Sequence, residues 1–170
     1  IFALAFYLFY NQVRFGSPFD NGLIYHNMHD FFKADFEKYG IFNIHYLPKN
    51  FYYQYILGPA RLREESCFGG SLFLLSPLFF GAFFSFWKPR SKVHVFGLLL
   101  SIFSTSIPIL LVMGTGWVQL GPRYTLDFTV PLLLLTALGV EKWNPKIPFF
   151  LTMISAIHYI ILAGKFSSVS

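Results

Sequence analysis

Apolar residues gather in four long blocks along the second half of this chain, with polar residues between them. Phe68–Trp87 carries no charged side chain, and Val93–Met113 carries only His94. A helix needs about 20 mainly apolar residues to cross the hydrocarbon of a bilayer. Tyr124–Val140 and Ile147–Gly164 hold 17 and 18 residues, still within the spanning range. A fifth block, Ile1–Tyr10, is about half a span. It reads as the second half of a cut helix, so the chain is expected to be the C-terminal part of a longer protein.

The segment 11–67 is polar and aromatic by turns. Met28, Phe31, Phe32, Phe36 and Tyr39 recur at spacings of three and four, while Lys33, Asp35, Glu37 and Lys38 fill much of the other face. That period predicts an amphipathic helix on a membrane surface, with Asn27 as its N-cap and Gly40 as its stop. Asn50–Leu57 predicts a second short helix, capped by Asn50 and ended by Gly58-Pro59. Its Tyr52, Tyr53 and Tyr55 suit a headgroup layer, where the ring is apolar and the hydroxyl stays wet.

The expected fold is therefore all-α. It comprises polytopic membrane helices, part of one span plus four spans, with extracytoplasmic interfacial amphipathic helices. Residues 1–10 end a truncated transmembrane helix, 11–67 form an extracytoplasmic juxtamembrane segment, 68–164 hold four spans, and 165–170 are a tail.

Composition supports a membrane setting. Charged residues make up 12% of the 170 and the mean hydropathy is +0.53, where soluble domains carry about 25% charge. The net charge of +5 does not point to nucleic acid, because the basic residues are scattered at span ends without a stripe or motif. Five of the 13 Lys and Arg fall in the loops 88–92 and 141–146. These loops share a side if each span crosses once, and the excess of positive charge places them in the cytoplasm. The loop 114–122 and the long segment 11–67 then face outside.

Candidate chemistry is sparse. Arg123 and Asp127 stand four apart where a span opens, a spacing that lets them pair on an α-helix. Either the pair stitches a loop to its helix, or Arg123 faces an anionic ligand and Asp127 orients it. Gln119 and Tyr124 are supporting hydrogen-bonding groups or interfacial anchors. Arg14 follows Asn11 in a turn-prone setting before Gly16, Ser17 and Pro18. It either snorkels to headgroups or clamps a lipid phosphate in bidentate fashion. Lys49, Arg61 and Arg63 are further cations of the outer segment, with solvated charge the favoured reading, and Glu64-Glu65 reads as surface charge. His26, His29 and Asp30 have a metal-compatible spacing but no clear third histidine or cysteine, so no metal site is assigned. His158, alone in an apolar block, is expected to bond a neighbouring helix. The single Cys67 has no internal partner and reads as an inert thiol.

Four segments in order carry a resemblance. Tyr10-Asn11-x-x-Arg14-Phe15-Gly16-Ser17-Pro18-Phe19 resembles the "YN..RFG.PF" segment of bacterial GT-C membrane glycosyltransferases, relatives of protein O-mannosyltransferases and lipid A aminoarabinose transferases. Leu47-Pro48-Lys49-Asn50-Phe51-Tyr52-Tyr53 resembles their "LPRNLYY", and Ser76-Pro77-Leu78 their "SPLL". Gly114–Phe128, with Gly116-Trp117, Gln119, Gly121, Arg123-Tyr124 and Leu126-Asp127-Phe128, resembles "GW.QFG.RY.LDF.PF". Pro122 departs from the aromatic more usual at its place.

The resemblance implies an inverting enzyme of the bacterial inner membrane that takes a sugar from a polyprenyl-phosphate carrier on the outer side. It implies carrier-phosphate contacts by Arg14 and Arg123, supported by Asn11, Lys49, Gln119, Tyr124 and Asp127. The catalytic acidic loop is expected upstream of Ile1, and a divalent metal is left open for the full-length enzyme, with no cofactor assigned to this part. The expected partners are the polyprenyl-phosphate sugar and membrane lipid, with no nucleic acid. A transporter or flippase of lipid-linked glycans and a non-catalytic membrane assembly protein remain the alternatives.

Overall fold

The computed structural model describes residues 2–20, 22, 30–57, 71–87, 92–114 and 122–167. It is all-helical, and no strand occurs among the described residues, where one isolated bridge pairs Phe42 with Val112. The chain forms two compact units, residues 1–37 and 38–170.

In the first unit, α1 spans Phe2–Phe15. The helix runs five residues beyond the Tyr10 end expected from the apolar block, so Asn11, Gln12 and Arg14 are helical rather than in a turn. Its stop is Gly16, at φ +77°, whose N–H donates to the Gln12 carbonyl at 3.1 Å. A positive φ there is cheap only for glycine. Helix α2, Asp30–Tyr39, begins in this unit and ends in the second. Gly40, at φ +72°, stops it, as its sequence position predicts. The proposed cap Asn27 lies outside the described residues.

The second unit continues with α3 (Leu47–Phe51), a π-helical turn (Tyr52–Ile56), α4 (Leu72–Leu75) and a 3-10 helix (Pro77–Phe86). Helix α5 (Lys92–Leu111), a 3-10 turn (Arg123–Phe128) running into α6 (Thr129–Val140), and α7 (Lys146–Ser167) complete it. Two helices, Lys92–Leu111 and Arg123–Val140, are long and apolar enough to cross a membrane. Pro77–Phe86 and Lys146–Ile161 are shorter apolar helices. The block 68–87 is thus no continuous α-helix among its described residues: α4 ends at Leu75, and Pro77 opens a helix of different pitch.

That pitch decides what the block buries. A 3-10 helix has three residues per turn and advances about 2 Å per residue, so ten residues cover about 20 Å rather than about 15. Residues three apart are eclipsed. Phe79, Ala82 and Ser85 form one buried row, and Phe80, Phe83 and Phe86 form an exposed one at 45%, 57% and 50%. Gly81, Ala82 and Ser85 turn inward with Phe79, and the other phenylalanines turn outward, the arrangement expected where the surroundings are as apolar as the core.

The inward face meets α6. Gly139 approaches so closely that a Cβ there would fall on the Gly81 carbonyl and lie 3.0 Å from the Ser85 nitrogen. Leu132, Leu135 and Thr136 of α6 are buried along the same stripe. The Thr136 hydroxyl donates to the Leu132 carbonyl at 2.8 Å and the Ser85 hydroxyl to the Ala82 carbonyl at 2.7 Å, so neither polar group is left bare. The apolar core of this unit joins Leu72, Phe79, Ala82, Val95, Ile109, Phe128, Leu132 and Leu135.

The C-terminal end of α5 is tied down by residues 41–50. A helix leaves its last carbonyls without partners. Here the Asn43 N–H donates to Leu111 at 2.9 Å, and the Met113 N–H donates back to Ile41 at 2.8 Å. The Asn50 amide Nδ2 donates to both the Leu110 and Val112 carbonyls at 2.8 Å. Asn50 is therefore not the cap of its own helix. That helix starts three residues earlier, at Leu47-Pro48, where a proline favours the first turn, and the buried Asn50 side chain serves a helix 60 residues away.

Candidate functional site

Arg14 and Arg123 are the two cations singled out by sequence, one in each unit, and each is described in its own setting. Arg14 is exposed in the last turn of α1. Its Nη1 donates to the Tyr10 hydroxyl at 2.8 Å, and the guanidinium lies 5.1 Å from the Phe15 ring centre and 5.7 Å from that of Tyr10. The helical spacing of four makes this clasp, because Tyr10 and Arg14 stand on one face. A guanidinium over aromatic faces keeps its charge and most of its N–H donors turned outward. Beside it, buried Asn11 donates Nδ2 to the Pro18 carbonyl at 3.2 Å. That amide closes the 11–18 turn, so its contribution to Arg14 is to hold the loop. The Asp20 carboxylate accepts from the Gly22 N–H at 2.8 Å and tightens the next bend.

Arg123 opens the apolar helix Arg123–Val140. It is exposed, with its guanidinium 5.5 Å from the centre of the half-buried Tyr124 ring. Tyr124 packs against the apolar core, so the cation rests on a fixed platform. The Thr125 hydroxyl and N–H both donate to the Pro122 carbonyl, at 2.6 and 2.9 Å, and anchor the turn.

The pairing of Arg123 with Asp127 is not formed. The first six residues here are 3-10 rather than α. At three residues per turn, positions four apart are rotated by about 120°, and Leu126 rather than Asp127 eclipses Arg123. Both Arg123 and Asp127 are exposed, and no ion pair joins them. Arg123 thus stands apart from Asp127, and its guanidinium lies over the Tyr124 ring instead.

Lys49 is exposed in the last turn of α3. Gln119, Arg61, Arg63, Glu64, Glu65, Cys67 and the histidines at 26 and 29 lie outside the described residues. Among the described residues no group of three or more His, Cys, Asp or Glu is placed to hold a metal. His158 differs from expectation: its Nδ1 is buried without a hydrogen-bond partner. His45 stacks on Tyr39, ring centres 3.9 Å apart and 14° from parallel, and meets Tyr46 edge-on.

Two polar groups that the sequence did not single out are buried in the second unit. Gln54, in the π turn, is 1% exposed, and neither its Nε2 nor its Oε1 has a partner. Ser71, at the start of α4, is fully buried with an unpartnered Oγ. Next to Gln54, burial pushes the Tyr55 phenol above the ordinary tyrosine value, while its hydrogen bond with Ser106 pulls the other way. Only the tyrosine-rich composition of 52–55 hinted at this cluster. No family model, curated protein or solved structure matches the chain.

Proposed function

We propose that this chain is the carrier-binding, membrane-embedded part of a GT-C-type glycosyltransferase. The enzyme is a multi-pass protein that moves a sugar from a polyprenyl-phosphate carrier to a lipid, glycan or protein acceptor on the outer side of the inner membrane. The order of the four sequence segments supports this reading, as do the two helices long enough to span.

The observation that carries it is Arg123. A guanidinium at the mouth of an apolar helix, seated on Tyr124 and without a carboxylate partner among the described residues, suits a phosphate at the bilayer edge. Arg presents a planar fork of donors that a phosphate accepts in pairs. Transfer breaks the bond between the anomeric carbon and the phosphate oxygen, as the acceptor hydroxyl attacks and gives up its proton. Charge builds on the departing phosphate, and a fixed guanidinium lowers that barrier. Arg14, on its own aromatic clasp in the first unit, is read separately, as a cation for a lipid phosphate in its own right. The base is not assigned to this chain.

The test is Arg123→Ala and Arg123→Lys in the full protein, with transfer measured in membranes and expression checked by immunoblot. Loss of one such donor should reduce transfer roughly 100-fold, with partial return in the lysine variant. Near-normal transfer by Arg123→Ala at normal expression removes the role.

A further inference from the structure

We infer that Gln54 and Ser71 form a neutral subsite for a hydroxyl-bearing group, the sugar of a glycolipid being the ligand class it fits. The choice of ligand rests on the carrier-sugar reading above, while the site rests on two buried, unpartnered side chains whose backbones are linked through Leu57. Both side chains are closed from solvent, and all three of their polar atoms lack partners. Buried polar groups are nearly always hydrogen-bonded, and one that is not calls for an explanation.

The two residues are held on one structural knot. The Leu57 N–H donates to the Tyr52 carbonyl at 2.9 Å, closing the π turn that contains Gln54. The Leu57 carbonyl in turn accepts from the Ser71 N–H at 2.8 Å. A π turn holds one residue more than an α turn, and such turns recur at functional sites. Its relaxation to α would swing Gln54 by about one residue's rotation, roughly 100°, which opens a closed site without unfolding it. The Tyr55 ring flanks the turn and packs on Phe73 with ring centres 6.1 Å apart.

The donor set selects the ligand. An amide supplies N–H donors and a carbonyl acceptor, and a hydroxyl supplies both functions. Neither residue carries charge, so a phosphate gains nothing here that Arg123 does not offer better. A sugar hydroxyl donates and accepts at once and matches both groups.

The experiment uses the full chain in a zwitterionic detergent, since sugar-headed detergents would compete. Two ligands are titrated by calorimetry: citronellyl mannoside, which is neutral, and citronellyl phosphate, which has no sugar. Gln54→Met and Ser71→Ala should each weaken the mannoside roughly tenfold, the value of about one good hydrogen bond, and leave the phosphate unaffected. Arg123→Ala should do the reverse. Gln54→Met should also raise the thermal midpoint, because it removes an unpartnered amide from the interior, so its binding loss cannot be put down to unfolding. Absence of mannoside binding, or equal binding by Gln54→Met, overturns the subsite. Failure of the phosphate arm alone overturns the carrier reading and leaves the subsite standing.

Discussion

Asn50 reaches across 60 positions to donate its amide to the Leu110 carbonyl at 2.8 Å, and the same nitrogen serves Val112. The short α3 helix is thereby fastened to the end of the long apolar helix α5. Because the amide is buried, water does not replace it when it is removed. Asn50→Ala should cost about 2 kcal/mol or more, the penalty for carbonyls left bare, and Asn50→Asp more, since a carboxylate faces carbonyl oxygens. Circular-dichroism melting in micelles checks this, and an unchanged midpoint for both variants would deny the fastening role.

The Gly139–Gly81 contact predicts an asymmetry between two glycines. A Cβ at Gly139 meets backbone, which no rotamer change relieves, whereas a Cβ at Gly97 in α5 meets nothing within 4 Å. Gly139→Ala should destabilise by about 1–3 kcal/mol. Gly97→Ala should be neutral or stabilise by up to about 1 kcal/mol through helix propensity. Equal melting shifts for the two variants would mean that the helices do not pack at this crossing.

Tyr55 gives a pH dependence with a definite sign. Burial raises its folded value above that of a tyrosine in water. In the window above about pH 10, the unfolded chain sheds this proton while the folded chain keeps it. The folded state then binds more protons, so stability falls as pH rises. The contribution is complete below pH 10 and is lost as pH climbs through the raised value. Melting between pH 8 and 11 should decline more steeply for the natural chain than for Tyr55→Phe. Parallel curves would place Tyr55 in water.

Tyr124 should matter to Arg123 through the ring alone. Tyr124→Phe keeps the platform 5.5 Å beneath the guanidinium, and citronellyl phosphate binding should stay within about twofold. Tyr124→Ala removes an interaction worth about 0.5–1 kcal/mol at an exposed site, which is roughly a two- to fivefold loss of affinity. A larger loss in the Phe variant than in the Ala variant would assign the role to the hydroxyl instead.

The orientation across the membrane is open to labelling. With Cys67→Ser as the background, a cysteine placed at Asn144 should react with a membrane-impermeant maleimide only from the cytoplasmic side, and one at Pro122 only from the outside. Labelling of both positions from the same side would contradict a single crossing by Arg123–Val140.

Much of the helical layout was legible along the chain. The blocks 93–113 and 124–140 became the helices long enough to span, because apolar length is a local property that survives any packing. Gly40 announced a helix end for an equally local reason, since positive φ suits glycine, whereas the first helix ran on past its expected end at Tyr10 to Gly16. What depended on distant neighbours was not legible. Asn50 looked like a cap for its own helix because sequence shows only adjacent residues, whereas its partners stand 60 and 62 positions away. The pairing of Arg123 with Asp127 assumed a pitch of 3.6, and the backbone there winds at three per turn, where Asp127 turns away. The inward row Phe79, Ala82 and Ser85 has the same origin: a period of three becomes a face only once the chain has taken that pitch and Gly139 has come against Gly81. Composition therefore determined that these segments are apolar helices, and the contacts between them determined how tightly each winds and which side chains share a face.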